Sequence, residues 1–352
     1  MRPPLVLAID GGNSKTDLAL VRENGEALAL VRGPMSSPHH LGIDGCFSVL
    51  GDLLGRALAD AGLPARKNGR GPAAEVAQLS LAGVDFPSEE REVTDAASKR
   101  RLASKIFVGN DTLALLRAGT ECGWGVAVVC GAGINCVGVA PDGRQARFPA
   151  LGWITGDWGG GDDVGPEAVS AAARSEDGRG EKTTLEQAVP AYFGFGTPTE
   201  LAEAFHRKLV SERRTVELAP VVFSEARRDR VAAGIVDRLA EEIVVMIRVT
   251  LERLGMTEAP MEVVLGGGLL QAGDARLIGG IESGLAEVAP AATAHVTSSP
   301  PVVGAALLGL DELEAPADAQ ARARSELGDA FRRMDGVGLG SRASASRSGR
   351  SG

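Results

Sequence analysis

Short apolar runs separated by glycine-rich turns dominate the first part of the chain. Three of these runs predict strands: Leu5–Ile9, Leu18–Val21 and Ala27–Val31. The Asn24-Gly25 pair between the last two runs is a hairpin signal. The same order returns later, where Gly125–Val129 and Ile134–Val139 flank a second glycine turn. The pattern therefore predicts a weak internal repeat of strand, glycine turn, strand and hairpin.

Other apolar segments alternate between strand-like and helix-like spacing. Further strands are predicted at Val76–Leu81, Ile106–Val108, Met261–Leu265 and Ala294–Thr297. Helices are predicted at Phe47–Ala61, Glu89–Arg101, Pro166–Ala173, Asp229–Leu254, Ala275–Val288 and Val302–Leu310. The longest of these, Asp229–Leu254, has one apolar stripe and Gly255 as its C-cap. After about Leu313 the pattern decays into Ala/Arg/Ser/Gly-rich sequence, which predicts a disordered tail.

Composition narrows the class of protein. The 352 residues favour two domains of ordinary size. A net charge of −9 and only 4% aromatic residues argue against a nucleic-acid partner, because such binding needs a basic face. No apolar run is long enough for a membrane span, and the start does not resemble a signal peptide. We therefore expect a cytoplasmic protein with no membrane partner.

The four cysteines do not form a metal-binding pattern. Cys46, Cys122, Cys130 and Cys136 include no C-x-x-C pair and no neighbouring histidine suited to be a ligand. We interpret them as small buried hydrophobic residues in a reducing compartment.

The first glycine turn has the residues of a phosphate-binding loop. Backbone N–H groups in such a turn form an anion-binding concavity, and Gly12 permits close approach of the backbone. Lys15 adds a positive charge. Further donors are supplied by Asn13, Ser14 and Thr16. Asp10 ends a buried strand, where a carboxylate needs a partner, and a hydrated Mg²⁺ is the natural one beside a polyphosphate.

Two common nucleotide motifs do not fit these turns. In a Walker A loop a glycine precedes the lysine and a helix follows, whereas here Ser14 precedes Lys15 and a strand follows. The second turn, Gly131–Cys136, lacks the last glycine of the dinucleotide fingerprint, and a strand again follows it. Taken alone, each turn is also compatible with an ordinary hairpin.

Six motifs in order resemble the N-acetylglucosamine kinase and BadF/BadG/BcrA/BcrD-type ATPase group of the actin, sugar kinase and Hsp70 ATPase superfamily. They are IDGGNSKTD (Ile9–Asp17), LAGVD (Leu81–Asp85), GNDT (Gly109–Thr112), CGAGIN (Cys130–Asn135), GDWGGG (Gly156–Gly161) and PPVVGAALL (Pro300–Leu308). The motifs span about residues 5 to 310. The resemblance implies an α/β fold of two ribonuclease-H-like (actin-like ATPase) domains, each a mixed sheet with helices, around a nucleotide cleft.

The resemblance also implies a role for individual residues. ATP would be contacted by Gly11, Gly12, Asn13, Ser14, Lys15, Thr16, Gly131, Ala132, Gly133, Gly266, Gly267 and Gly268. The sugar would be contacted by Ser37, Asp85, Asn110, Asn135, Gly156 and Asp157. Asp10 would hold Mg²⁺ through water, and Asp111 would be the catalytic base that accepts the proton of a sugar hydroxyl. Asp111 is alternatively the N-cap of the helix that follows it, and Asp157 is alternatively a turn aspartate.

Three departures from the family pattern concern the sugar. The second turn reads Gly131-Ala132-Gly133-Ile134 where the family has Gly-Thr-Gly-Ser, Ser37 stands where an asparagine is usual, and Trp158 replaces a glutamate. The leading hypothesis is an ATP-dependent kinase for N-acetylglucosamine or a related hexosamine. The alternative is a BadF-type ATPase activator without a sugar substrate, although no cysteine follows Cys136 to bind a cluster. A non-catalytic sugar sensor is disfavoured, because no helix-turn-helix precedes Leu5.

The domain boundaries follow from the restart of the pattern. We expect an N-terminal domain over residues 1–113, a C-terminal domain over 114–313 and a disordered tail over 314–352. The last helix, 302–313, is expected to pack back on the N-terminal domain. The resemblance also implies a homodimer.

Overall fold

The structure, a computed structural model, describes residues 4–64 and 71–345, with side chains as far as residue 334. Its strands are β1 (Leu5–Gly11), β2 (Lys15–Arg22), β3 (Ala27–Pro34), β4 (Ala74–Leu81), β5 (Ala103–Gly109), β6 (Gly125–Cys130), β7 (Ile134–Val139), β8 (Gln145–Arg147), β9 (Met261–Gly266) and β10 (Ala292–Val296). Its α-helices are α1 (Pro38–Asp60), α2 (Pro87–Lys99), α3 (Asp111–Gly119), α4 (Gly161–Asp177), α5 (Leu185–Tyr192), α6 (Pro198–His206), α7 (Ala219–Glu225), α8 (Arg230–Leu254), α9 (Gly268–Gln271), α10 (Ala275–Val288), α11 (Pro301–Asp311) and α12 (Ala317–Ala345).

The chain forms two compact units. Unit 1 contains residues 1–123 together with 299–352, and unit 2 contains residues 124–298. The boundaries proposed from the sequence lay at 113 and 313, so residues 114–123 and 299–313 fall on the other side. The physical reason is the close packing of α3 and α11, where a Cβ added to Gly304 would lie 1.8 Å from the Ala114 carbonyl oxygen.

Unit 1 is built on a mixed sheet in the order β3-β2-β1-β4-β5. The first three strands are antiparallel, and β4 and β5 run parallel to β1. Leu7 and Ile9 of β1 belong to a core with α1 and α2, whereas Val6 and Ala8 belong to a core with α11. Because both faces are covered, the strands appear in the sequence as continuous apolar runs.

Helix α12 corrects the predicted disordered tail. Ala319, Ala323 and Leu327 are buried in the same core as α11, at a spacing of four residues that places them on one helix face. The Ala- and Arg-rich composition concealed this stripe, because alanine contributes little to an apolar pattern. The prediction of disorder is therefore wrong for residues 317–334, and its last part, 346–352, lies outside the described residues.

Unit 2 repeats the arrangement with the sheet order β10-β9-β6-β7-β8. Here β6 and β7 form the antiparallel hairpin of the second glycine turn, and β9 and β10 run parallel to β6. The long helix α8 begins at its N-cap Asp229 and ends at Gly255 in the left-handed conformation. The α/β class with two mixed sheets is confirmed.

Several helices begin earlier than the sequence pattern predicts. Helix α2 begins at Pro87 and α1 at Pro38, since proline is well suited to the first helical turn, and α1 is interrupted by a kink at Gly42, whose φ is 67°. Helix α4 begins at Gly161 and contains Pro166. Helix α3 was anticipated only as the alternative to a catalytic role for Asp111, and helices α5, α6, α7 and α9 were not predicted from the sequence. Within the described residues, no helix is both long and apolar enough to cross a membrane. Cys46, Cys130 and Cys136 are buried free thiols as expected, whereas Cys122 is exposed, so its interpretation as a buried residue is wrong.

Candidate active site

The first glycine turn closes the β1–β2 hairpin of unit 1. The Gly12 N–H donates to the Lys15 carbonyl oxygen at 2.9 Å, and the register pairs Gly11 with Thr16. A Cβ added to Gly11 would lie 2.5 Å from the Ser36 hydroxyl oxygen, so this position has no room for a side chain. Residues 13–15, at the tip of the turn, are exposed. The turn is therefore tight at its base and open to solvent at its tip.

Asp10 and its neighbours form a polar cluster on one face of the sheet. Asp17 and Ser80 are the register partners of Asp10 on the two adjacent strands. The Asp17 carboxylate accepts two hydrogen bonds from Arg32, at 2.7 and 3.0 Å. The buried Ser80 hydroxyl has no hydrogen-bond partner among the described residues. This cluster lies beyond Val6 and Ala8, on the α11 side of the sheet.

The carboxyl group of Asp10 is held in an unfavourable setting for a negative charge. Burial raises the pKa of Asp10 to about 8, and the negative charges of Asp111 and Asp17 act in the same direction. Lys15 and Arg32 lower the pKa of Asp10 but do not offset these effects. An ionised carboxylate here requires a nearby cation for compensation.

These residues fit a hydrated magnesium ion better than a directly coordinated one. Among the described residues there is no group of three or more His, Cys, Asp or Glu side chains arranged to hold a metal. Mg²⁺ in nucleotide sites usually keeps several waters and uses one or two carboxylates together with the phosphates. Asp10 and the nearby Asp111 supply that number of carboxylates. The surplus of negative charge around Asp10 is the observation that favours a cation.

Asp111 is the first residue of α3, and its neighbour Asn110 is the N-cap. The Asn110 Oδ1 accepts hydrogen bonds from the Thr112 N–H at 2.9 Å and from the Thr112 hydroxyl at 2.6 Å. The Asn110 Nδ2 donates to Asp85 Oδ1 at 2.6 Å. The capping role considered for Asp111 therefore belongs to Asn110, which leaves the Asp111 carboxylate available for another task.

Burial also changes the pKa of the Asp111 carboxyl group. It raises the pKa of Asp111 to about 6, while the backbone N–H groups of Thr112 and of Asp111 itself lower it in part. A carboxyl group with this pKa is mostly ionised at pH 7 and still basic enough to accept a proton. This is the range in which a general base is effective at neutral pH.

The segment after β3 carries two buried serines with different environments. The Thr16 hydroxyl donates to the Ser36 hydroxyl oxygen at 2.8 Å, which ties the first glycine turn to this segment. The Ser37 hydroxyl is buried without a hydrogen-bond partner in the part of the chain that the structure describes. Ser36 was missed from the sequence, since nothing in its local pattern separates it from Ser37.

In unit 2 the second glycine turn is packed against the start of α4. The N–H groups of Gly161 and Asp162 donate to the carbonyl oxygens of Gly131 and Ala132 at 2.9 and 2.8 Å. A Cβ added to Gly160, whose φ is 75°, would lie 2.2 Å from the Ala132 carbonyl oxygen. The loop that carries the predicted sugar contacts is thus fixed directly to the predicted phosphate turn.

The Gly266–Gly268 stretch lies beside the same turn. Gly267 has a φ of 90°, and a Cβ there would lie 2.4 Å from the Cys130 carbonyl oxygen. A Cβ added to Gly131 would lie 3.9 Å from the Gly268 nitrogen. Unit 2 therefore brings the second phosphate turn and the predicted adenosine motif into contact.

The predicted sugar residues of unit 2 have mixed environments. The half-buried Asp157 accepts a hydrogen bond from the Thr155 hydroxyl and follows Gly156, whose φ is 82°. The Asn135 Oδ1 instead accepts from the adjacent Cys136 N–H at 2.8 Å, a purely local contact. The other predicted sugar residues, Ser37, Asp85 and Asn110, lie in unit 1.

A model of the BadF/BadG/BcrA/BcrD ATPase family matches residues 7–309. The chain belongs to this family. The match covers both glycine turns, Asp111 and the Gly266–Gly268 stretch, and it ends before α12 begins.

Two curated relatives and one solved structure are similar to most of the chain. A Clostridium acetobutylicum protein named N-acetylmuramic acid/N-acetylglucosamine kinase is 29% identical over 75% of this chain and 85% of its own length. A Dictyostelium discoideum N-acetyl-D-glucosamine kinase is 25% identical over 88% of this chain and 99% of its own. A Chromobacterium violaceum structure, provisionally named an N-acetylglucosamine kinase, has a TM-score of 0.69 at 25% identity and covers 87% of this chain and 99% of its own. The actin-like ATPase fold expected from the motifs is confirmed for this family member.

Proposed function

We propose that this family member is an ATP-dependent kinase that phosphorylates a hydroxyl of an amino sugar, N-acetylglucosamine or a closely related hexosamine. The observation that carries the proposal is Asp111, a half-buried carboxylate that is not used as a helix cap and whose pKa burial raises to about 6. The two relatives named as amino-sugar kinases support the same reaction class.

Each part of the site has a task in this proposal. Asp111 accepts the proton of the attacking sugar hydroxyl as the new O–P bond forms, while the bond from the γ-phosphorus to the bridging oxygen of ATP breaks and ADP leaves. In unit 1 the glycine turn at 11–16 offers backbone N–H groups to phosphate, and Lys15 adds a positive charge; in unit 2 the turn at 131–133 is assigned the same kind of contact. Gly266, Gly267 and Gly268 let the backbone approach the adenosine. Asp10 would hold Mg²⁺ through water, and the ion would neutralise charge on the phosphates when bound.

The residues assigned to the sugar come from distant parts of the sequence. Ser37, Asp85 and Asp157 carry the polar groups assigned to sugar hydroxyls, and the unpartnered hydroxyl of Ser37 supports its assignment. Asn110 and Asn135 already use their amide oxygens on backbone N–H groups. We therefore assign them to shaping the site, with the Asn110 amide orienting Asp85.

The alternative, an ATPase activator carrying a metal cluster, is opposed by the state of two cysteines. Cys130 and Cys136 are buried, and burial raises the pKa of both thiols to about 12. The Cys136 sulfur instead contacts the Thr250 hydroxyl at 3.4 Å. Cluster ligation needs deprotonated thiolates, which this environment disfavours.

The experiment is a coupled assay of ADP release by the purified full chain. N-acetylglucosamine, N-acetylmuramic acid, glucosamine and glucose are tested with and without Mg²⁺. We expect sugar-dependent ADP release that requires Mg²⁺ and is greatest with an N-acetylated sugar. Asp111→Asn should lower it by at least about 100-fold, whereas Asp52→Asn, which changes an exposed carboxylate of α1, should not. ATP hydrolysis that is indifferent to every amino sugar would refute the proposal.

Two further properties belong to the proposal. A kinase that consumes ATP and an intracellular amino sugar would act in the cytoplasm, which fractionation of the native cells can check. The homodimer implied by the family resemblance is tested by light scattering of the purified chain, where a mass near 36 kDa would rule it out.

A further inference from the structure

Helix α12 lies beyond the residues that the family model matches, yet it is attached to unit 1 at several points. Its Glu326 carboxylate accepts a hydrogen bond from the Ala27 N–H of β3 at 2.9 Å. Its Arg324 donates to the carbonyl oxygen of Thr120 at 2.9 Å, just after the end of α3. Gln320 accepts from Arg117 of α3 at 2.6 Å. The helix is therefore anchored both to the sheet and to the helix that begins with Asp111.

At the next turns of α12, the Phe331 ring faces two cations. The Lys15 Nζ lies 5.4 Å from the ring centroid, and the Arg32 Cζ lies 4.8 Å from it. Both distances are within the range of a cation–π contact. Arg32 is at the same time the partner of Asp17. An aromatic ring from the end of the chain thus lies against the lysine of the first glycine turn.

The contact with Phe331 restricts where the Lys15 side chain can point. Lys15 and Asp17 are two residues apart on β2, so their side chains leave the same face of the sheet, and Asp17 is the register partner of Asp10. The Lys15 side chain is exposed and has many rotamers in the absence of a neighbour. A ring that holds the ammonium group on the Asp10 side restricts those rotamers before any ligand arrives.

We infer that Phe331 is a positioning residue for ATP: it holds the Lys15 ammonium group on the Asp10 face of the first glycine turn, where a phosphate is bound. The inference rests on the proposed function for the identity of the ligand. Neither Phe331 nor α12 touches the reacting atoms. The benefit is preorganisation, so the effect falls on ATP affinity and not on the chemical step.

The test compares three chains in direct ATP titrations without sugar. Phe331→Leu keeps an apolar side chain in the packing and removes the aromatic face, whereas Phe331→Tyr keeps that face. An exposed cation–π contact predicts an increase of about 2- to 5-fold in the ATP dissociation constant for Phe331→Leu, and a value near that of the wild type for Phe331→Tyr. In turnover assays the change should appear in KM for ATP, with kcat and KM for the sugar unchanged.

A double-mutant cycle separates positioning from a general effect on the fold. In a Lys15→Ala background, Phe331→Leu should produce a smaller increase in the ATP dissociation constant than it does in the wild type. An equal increase in both backgrounds would mean that Phe331 acts through packing, and the inference would be wrong. An unchanged ATP affinity in Phe331→Leu would overturn it as well.

A spectroscopic readout makes the contact visible without any nucleotide. The chain has six lysines, so reductive ¹³C-dimethylation gives few signals, and Lys15→Arg assigns the one from Lys15. Ring current should shift this signal upfield in the wild type and in Phe331→Tyr, but not in Phe331→Leu; no shift in the wild type refutes the contact. If the wild-type chain binds ATP but phosphorylates no sugar, only the proposed function fails, because the titrations and the cycle remain readable.

Discussion

Replacing Asp10 by asparagine should stabilise the metal-free protein while it removes the proposed magnesium ligand. Asparagine has nearly the same shape and cannot ionise. The pKa of Asp10 is raised from 3.8 to about 8, chiefly by burial. Between these values the native state binds more protons than the unfolded state, so stability falls as the pH rises through this window. Asp10→Asn does not lose stability in this pH range, because its side chain cannot ionise.

The expected gain in the free energy of unfolding follows from the pH range over which the native and unfolded states bind different numbers of protons. From pH 3.8 to pH 7 there are about three pH units, and each contributes about 1.36 kcal/mol, which gives an upper value of about 4 kcal/mol. Asp10 is half-buried and not sealed from water. Solvent screening therefore reduces the expected gain in the free energy of unfolding to about 1–3 kcal/mol at pH 7.

The assay is urea unfolding in EDTA at pH 5 and pH 8, followed by far-UV circular dichroism. Tryptophan fluorescence is unsuitable for this purpose, since Trp124, Trp153 and Trp158 all lie in unit 2. The difference between Asp10→Asn and the wild type should be larger at pH 8 than at pH 5. Asp52→Asn serves as the exposed control and should show no such trend. A difference that is the same at both pH values would refute the reasoning about Asp10.

Three further variants test other parts of the site. Asp111→Asn should lower kcat by about 10²- to 10⁴-fold and remove the acidic limb of the kcat/KM profile near pH 6. Its ATP affinity should be retained in titrations. A variant that keeps the wild-type kcat would exclude Asp111 as the base. Asn110→Ala should cost about 1 kcal/mol in urea unfolding, because α3 loses its cap, and should raise KM for the sugar as Asp85 loses its partner. Gly267→Ala should weaken ATP binding and lower the melting temperature, since its Cβ would lie 2.4 Å from a backbone oxygen; a wild-type melting curve would contradict this packing.

The strands other than β8, and the glycine turns, could be predicted from the sequence because their signals are local. Buried strands appear as apolar runs, and the turn at Gly11–Lys15 shows its glycines and polar residues together. Helix starts were harder to predict. The sequence pattern places the two helix starts at Glu89 and Phe47, whereas in the structure the helices begin earlier, at Pro87 and Pro38.

The contacts that complete the candidate site could not be predicted, because they join distant parts of the chain. The hydrogen bond between Thr16 and Ser36 depends on how β3 ends, and the one between Asn110 and Asp85 depends on neighbouring strands. Phe331 is more than 300 residues from Lys15 and belongs to a segment whose composition suggested disorder. Such residues can be identified only from the folded structure, since no local sequence pattern distinguishes them.

The completion of unit 1 by α11 and α12 has a consequence for synthesis on the ribosome. The five strands of its sheet are translated first, but α11 and α12, which supply most of the core on the face containing Val6 and Ala8, come only after residue 299. Until then the nascent chain exposes an apolar surface, while unit 2 is contiguous and can fold as soon as it emerges. Messages truncated before α11 should therefore yield aggregating products. Full-length chains would depend on chaperones during the interval in which unit 2 is being translated.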